Sequence, residues 1–162
     1  MRIICGLIQN NFSEMNYTIK KAGLDNLEAA ATLFNLYRIF YRQSSDYDRC
    51  KQFIADRLRQ EQSHIFLVYA DDEAVGFVQL YALYHYVKLD LQWLLSDLFV
   101  HPDHRGKGLS VALIDRSKQW CTETGACGLM LETEKINDIG NRLYPRCGFA
   151  YDGLHNYYHW WR

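Results

Sequence analysis

At 162 residues, 49% of them hydrophobic, the chain is long enough for one core that buries roughly 70% of its unfolded surface and too short for two. Its 18 basic and 19 acidic residues leave a formal charge of -1, so no global positive field is available to hold nucleic acid or an anionic membrane, and a small molecule is the expected partner. Five scattered cysteines without a Cys-x-x-Cys pair suggest neither a disulfide framework nor a zinc site, so a reducing cytoplasm is the expected compartment. The apolar run at residues 3–8 is too short for a leader or a membrane span.

Residues 1–14 match no periodicity and are expected to form an extension outside a single domain covering residues 15–162. A first strand is expected at residues 17–21. Asp25, with Glu28 three positions on, has the spacing of a capping box and opens a helix to about Arg42. That helix carries two apolar stripes, Leu27, Ala31, Phe34, Tyr37, Tyr41 and Ala29, Leu33, Leu36, Phe40, so it must be covered on more than one side, by the sheet and along a pocket. Ser45 or Asp46 caps a second helix, which ends near Gln62.

Residues 65–70 and 74–81 form a hairpin across Asp71-Asp72-Glu73, and a Tyr- and His-rich segment at 83–90 leads into a buried strand at 91–100. His101-Pro102 stops that strand. The basic loop His104-Arg105-Gly106-Lys107-Gly108 follows, then a helix from Leu109-Ser110 to Thr124 with Gly125 as its C′ glycine, and a strand at 128–133. Asn137 caps a short helix through Ile139, Gly140, Leu143 and Tyr144, which Pro145 is expected to kink or end at Tyr144. The aromatic stretch 156–161 is expected to be a last strand. Together these elements predict an α/β fold, a three-layer arrangement with a mixed, mostly antiparallel sheet and helices on both faces.

A strand that runs through a Gly-rich turn into a helix leaves the first helical N–H groups unpaired beside the positive end of the helix dipole, which makes an anion cradle. Gly106 and Gly108 let a phosphate approach the backbone, and Arg105 and Lys107 add charge. A Walker A loop fails because Gly108, not Ser or Thr, follows Lys107. The dinucleotide fingerprint fails at Val111. What the stretch Arg105-Gly106-Lys107-Gly108-Leu109-Ser110 resembles is the Arg/Gln-x-x-Gly-x-Gly/Ala turn of the GNAT N-acetyltransferases, with Ser110 as the one departure. A second cluster, Asn137-x-x-Gly140-x-x-Leu143-Tyr144-x-x-x-Gly148-Phe149, resembles the family's Asn-x-x-Ala-x-x-Leu-Tyr-x-x-x-Gly-Phe pattern, with Gly140 in the Ala place. A softer likeness, to the histone and polyamine acetyltransferase-like subgroup and the diamine acetyltransferases, rests on Tyr37-Arg38-x-Phe40-Tyr41, Gln79-Leu80-Tyr81 and Leu95-Ser96-Asp97-Leu98-Phe99-Val100.

The resemblance implies acetyl transfer from acetyl-CoA to an amine. It implies that Leu98, Phe99 and Val100 offer backbone groups to the pantetheine, that residues 105–111 (Arg105, Gly106, Lys107, Gly108, Leu109, Ser110, Val111) hold the pyrophosphate, and that Asn137, Gly140 and Tyr144 meet the cofactor, Tyr144 near its sulfur. An alkylammonium is uncharged in roughly one molecule in a few thousand at pH 7, a deficit of about 4–5 kcal/mol, so a base is needed. Asp97 is the first candidate and Glu132 the second. Diamine acetyltransferases carry Glu at the position matching Ser96, so the base does not transfer directly. Tyr144 suits the acid that protonates the leaving thiolate, and strand N–H groups near residues 98–100 suit an oxyanion if the strand bulges or splays.

His101 with His104 lacks a third ligand, so no metal is expected. Tyr37, Tyr41, Tyr81, Tyr84 and Tyr86 taken singly suit packing; taken together they are candidates to line an acceptor pocket by cation–π attraction. The expected activity is acetylation of a primary amine on a small polyamine or amino-acid-like molecule by direct attack in a ternary complex. A protein lysine or N-terminal acetyltransferase and a non-catalytic acyl-CoA-binding module are the alternatives, and a homodimer is left open.

Overall fold

The computed structural model describes residues 16–160, so the expected extension at 1–14 lies outside the described residues. Its sheet is organised by two hairpins. Strand β2 (Ser63–Ala70) turns into β3 (Glu73–His85) through Asp71 and Asp72, both at positive φ (49° and 66°), the mirror-image turn whose twist suits a two-residue hairpin. Strand β3 then returns antiparallel as β4 (Asp90–Val100), so the segment expected at 83–90 is not a separate strand but the end of β3 and its turn. Strand β1 (Tyr17–Lys21) pairs antiparallel with β2, and β5 (Leu129–Leu131) lies parallel to β4, giving the order β1-β2-β3-β4-β5.

Helices cover both faces. α1 (Leu27–Phe40) and α2 (Tyr47–Arg59) bury Ala30, Leu33 and Ile54 against Ile65, Leu67, Phe77 and Phe99 on one side. α3 (Leu109–Glu123) and α4 (Asp138–Arg146) cover the other, where Leu109, Leu113 and Ile114 meet Phe66, Val68, Val78, Leu80, Trp93 and Leu95. With both faces covered, β2 is an almost continuous buried run rather than an alternating one. Asp46 caps α2, its carboxylate accepting from the Arg49 N–H at 3.2 Å. The Asp25–Glu28 capping box does not form. Asp25 falls inside a 3-10 turn (Leu24–Asn26) ahead of α1, and the Glu28 carboxylate instead bonds Tyr47 and Lys51 of α2, tying the two helices together.

Three further departures bear on the site. The helix expected to break at Tyr144 runs on through Pro145 to Arg146. Proline in the last turn removes only one ladder bond, and the chain closes over it in a Schellman motif. Phe149 N–H reaches the Tyr144 carbonyl and Gly148 N–H that of Pro145, each at 3.0 Å, with Gly148 at φ 81° and the Tyr144 and Phe149 rings in edge contact. Strand β5 is shorter than the expected 128–133, so Glu132 lies beyond its end. Finally, the aromatic C-terminal stretch forms no strand among the described residues: Tyr157, Tyr158 and Trp160 are all exposed, without the one-sided burial a paired strand would give them.

Candidate active site

The centre of the site is an irregularity in β4. Gln79 of β3 stands opposite Asp97, but its successor Leu80 stands opposite Leu95, so Ser96 is one residue too many. An extra residue exchanges the faces of everything after it. Before the bulge, Leu91, Trp93 and Leu95 pack towards α3; after it, Leu98 and Val100 do so, which turns Asp97 and Phe99 towards α1. Pairing with β5 also stops at Leu95 opposite Leu131. From Ser96 to Val100 the outer edge of β4 therefore has no neighbouring strand among the described residues, and its backbone groups face a split in the sheet. Leu98, Phe99 and Val100, expected to present backbone groups, lie on this edge.

Asp97 is largely buried. Burial pushes its carboxyl above the usual carboxylate range, opposed by hydrogen-bonding contributions from Ser96 and Tyr37. Tyr37 and Tyr41 of α1 stack edge-on at 4.9 Å, and Tyr37 meets the Phe77 and Phe99 rings at 5.8 and 6.3 Å. Burial, followed by the Asp97 charge, raises the Tyr37 phenol. Tyr81 stands on the same face, also raised by burial and then by Asp97. Tyr37, Tyr41 and Tyr81 thus come together around Asp97. Tyr84 does not: three residues along the pleat from Tyr81, it falls on the opposite side of β3 and is 83% exposed, as Tyr86 is at the hairpin tip. Glu132 is exposed outside β5, away from the strand position expected to aim it.

Beyond β4, a 3-10 turn (Pro102–His104), its Asp103 N–H donating to the His101 ring at 3.4 Å, leads to the glycine loop. Gly106 and Gly108 have φ of 74° and 81°, a backbone that glycine adopts without a Cβ clash, and a Cβ at either would meet nothing within 4 Å. Gly108 is the N-cap of α3 and offers no side chain to its first turn, so the leading N–H groups, through Leu109, Ser110 and Val111, are left for another acceptor. Arg105 is turned from this loop: its Nε donates to the Val100 carbonyl at 3.0 Å and its guanidinium lies 5.2 Å from Phe40 and 5.7 Å from Phe99. Lys107 remains on the exposed loop.

Across the split, Asn137 caps α4, accepting from Gly140 N–H at 3.0 Å and donating to Thr133 Oγ1 at 2.9 Å. Gly140 lets the Asn137 amide and the Tyr144 ring lie close to the helix, since a Cβ there would come within 3.1 Å of the Tyr144 ring and 2.7 Å of the Asn137 amide and make both shift. The half-buried Tyr144 phenol is raised by burial, then by the nearby Tyr41 and Cys147, and its hydroxyl has no hydrogen-bond partner among the described residues. Tyr41, the C-cap of α1, is near enough to raise the Tyr144 phenol, which brings the aromatic face around Asp97 and the phenol on α4 towards one another. Gln79, Ser63 and Arg57, considered below, were not singled out as site residues; a Gln within an apolar strand was the available signal.

The sequence matches the Acetyltransferase (GNAT) family over residues 27–149, which includes α1–α4 and β2–β5. This chain belongs to the GNAT family. It is 37% identical over 134 residues to an uncharacterized N-acetyltransferase, YhfO, of Bacillus subtilis, covering 83% of this chain and 90% of that one. It is 32% identical over 104 residues to a streptothricin acetyltransferase of Escherichia coli, covering 64% and 57% respectively. A solved probable acetyltransferase superposes with a TM-score of 0.84 at 32% identity over 88% of this chain and 96% of that one. The GNAT chain is accordingly an acetyl-CoA-dependent N-acetyltransferase, with the mixed sheet and two helical layers of that fold. Among the described residues no group of three His, Cys, Asp or Glu is placed to hold a metal, and no helix is long and apolar enough to cross a membrane.

Proposed function

We propose that the acceptor is the primary amine of a small molecule, polyamine or amino-acid-like, attacked directly in a ternary complex. The observation that carries this reading is the bulge at Ser96, which puts a partly buried carboxylate, Asp97, among Tyr37, Tyr41 and Tyr81 beside the open edge of β4. Aromatic faces and a carboxylate suit an alkylammonium, and relatives named streptothricin acetyltransferases support a small-molecule acceptor.

The residues present fit acetyl-CoA. Gly106 and Gly108 leave open space beside the α3 N-terminus, where the N–H groups of Leu109, Ser110 and Val111 with Lys107 would hold the pyrophosphate; Arg105 would have to leave its bond to the Val100 carbonyl to join them. Leu98, Phe99 and Val100 would offer backbone groups to the pantetheine, and Asn137, Gly140 and Tyr144 would close the other side of the split. When bound, acetyl-CoA supplies the activated acetyl group. Asp97 takes the ammonium proton, directly or through water, and its raised proton affinity narrows the gap to the amine. Tyr144 keeps its proton at neutral pH and can give it to a departing thiolate. N–H groups on the open edge of β4 stabilise negative charge on the acyl oxygen. The unpaired state of the four described cysteines supports a reducing cytoplasm as the compartment.

Calorimetric titration with acetyl-CoA, followed by thiol release on polyamines, amino acids, and peptides bearing lysine or a free N-terminus, tests the reading. The expected result is cofactor binding and turnover on small amines. Turnover confined to peptides would move the acceptor to protein, and binding without turnover on any amine would make the chain a binding module.

A further inference from the structure

Arg57, in the last turn of α2, faces the same aromatic cluster as Asp97 and has no part in the reaction proposed above. Its guanidinium lies 3.6 Å from the Phe53 ring, donates from Nη1 to the Phe53 carbonyl at 3.4 Å, and is near enough to Tyr81 to counter the rise in that phenol's pKa. Arg59, in the same turn, is paired with Asp56 at 3.3 Å. Arg57 is half-buried and has no carboxylate partner among the described residues. A guanidinium presents five N–H donors in one plane, so most of this fork is left for an anion.

Gln79 explains how the two charges are set apart. Its side chain is fully buried, with Nε2 donating to Ser63 Oγ at 2.7 Å and to the Tyr81 hydroxyl at 3.0 Å, while Oε1 has no partner. A buried carboxamide with an unsatisfied oxygen is costly and does not suit a merely structural core. What it accomplishes is to hold the Tyr81 oxygen as an acceptor beside Arg57, which leaves the phenol proton directed elsewhere. Tyr81 also senses the charge of Asp97. One fixed phenol thus stands between a carboxylate and an unpaired guanidinium.

We propose that this arrangement is a subsite for a zwitterionic acceptor, an amino-acid-like amine whose ammonium meets Asp97 and whose carboxylate is held by the Arg57 fork, with Tyr81 between them. The proposal rests on the small-amine reading and narrows it. A simple diamine would bring its second ammonium towards Arg57, where like charge disfavours it.

The test compares lysine and ornithine with their carboxamides, which keep the skeleton and lose the anion. Thiol release by the wild type should favour each free acid over its amide by about 10-fold or more in kcat/KM, carried in KM. Arg57→Met keeps an apolar stem over Phe53 and should reduce that acid-to-amide ratio by about 10–100-fold. Arg57→Lys, which keeps the charge without the fork, should fall between the two, and it serves as the measurement if thermal unfolding shows the Met variant to be damaged. Equal turnover of acid and amide by the wild type, or an unchanged ratio in both variants, would overturn the subsite while leaving the small-amine activity standing. Thiol release from no small amine at all would overturn both.

Discussion

Asp97 is a carboxylate that the fold holds in an unfavourable place. Its folded pKa is raised by burial above the ordinary 3.8, so its protonated form is the one folding favours. That contribution is complete below pH 3.8 and is lost as the pH rises through the folded value. At neutral pH the ionised group therefore opposes stability. Asp97→Asn removes the charge and keeps an oxygen able to accept from Ser96 and Tyr37. It should lower kcat/KM by about 10²–10⁴-fold while raising Tm, read by thiol release and thermal melting. Loss of both activity and stability would mark Asp97 as packing. Tyr144 has the complementary signature. Its hydroxyl has no partner among the described residues, so Tyr144→Phe keeps the contact with Phe149 and should lower kcat roughly 10²-fold with Tm and acetyl-CoA affinity unchanged. A destabilised protein with normal kcat would show that the thiolate leaves without an acid.

At the scale of elements, what could be foreseen was what local chemistry fixes. The glycine loop, the Asn137 cap and the Gly125 helix end each depend on a few adjacent residues: Gly106, Gly108 and Gly125 all sit at positive φ, and Asn137 bonds the N–H three positions on. What was not foreseen depends on partners far along the chain. The face that Asp97 presents is set by the register between β3 and β4, and the stretch at 156–160 has aromatic residues but pairs with no strand among the described residues. Pro145 breaks a local preference that the Schellman closure at Tyr144 outweighs. The loop also supplies a controlled comparison. Gly108→Val and Gly125→Val each force a branched residue into left-handed backbone with open space around it, at a cost of about 1–2 kcal/mol. Both should lower Tm alike, yet only Gly108→Val should weaken acetyl-CoA binding by calorimetry. Equal affinity in the two would remove the pyrophosphate from this loop.

Across the whole molecule the sheet separates two titrations. His64 on β2 packs on the α3 side, 5.0 Å from the Trp93 ring and 4.9 Å from Trp120, with Lys21 4.3 Å over Trp120. Burial, then the Lys21 charge, lowers its pKa below the ordinary 6.5, against a weaker opposing pull from Glu61. The unfolded chain therefore binds the proton more readily than the folded one, so stability is full above pH 6.5 and declines as the pH falls from there through the folded value. Asp97 acts in the opposite sense and on the other face. Denaturant unfolding between pH 7.5 and about 5.5 should accordingly show a falling free energy, and His64→Phe, which keeps an aromatic ring between the two tryptophans, should flatten that fall. The same variant should leave the pH dependence of kcat/KM where it was, because the sheet lies between His64 and the acceptor cluster. A shifted activity profile would mean that the α3 side and the Asp97 side communicate, and an unchanged stability slope would mean that His64 is not the group that titrates.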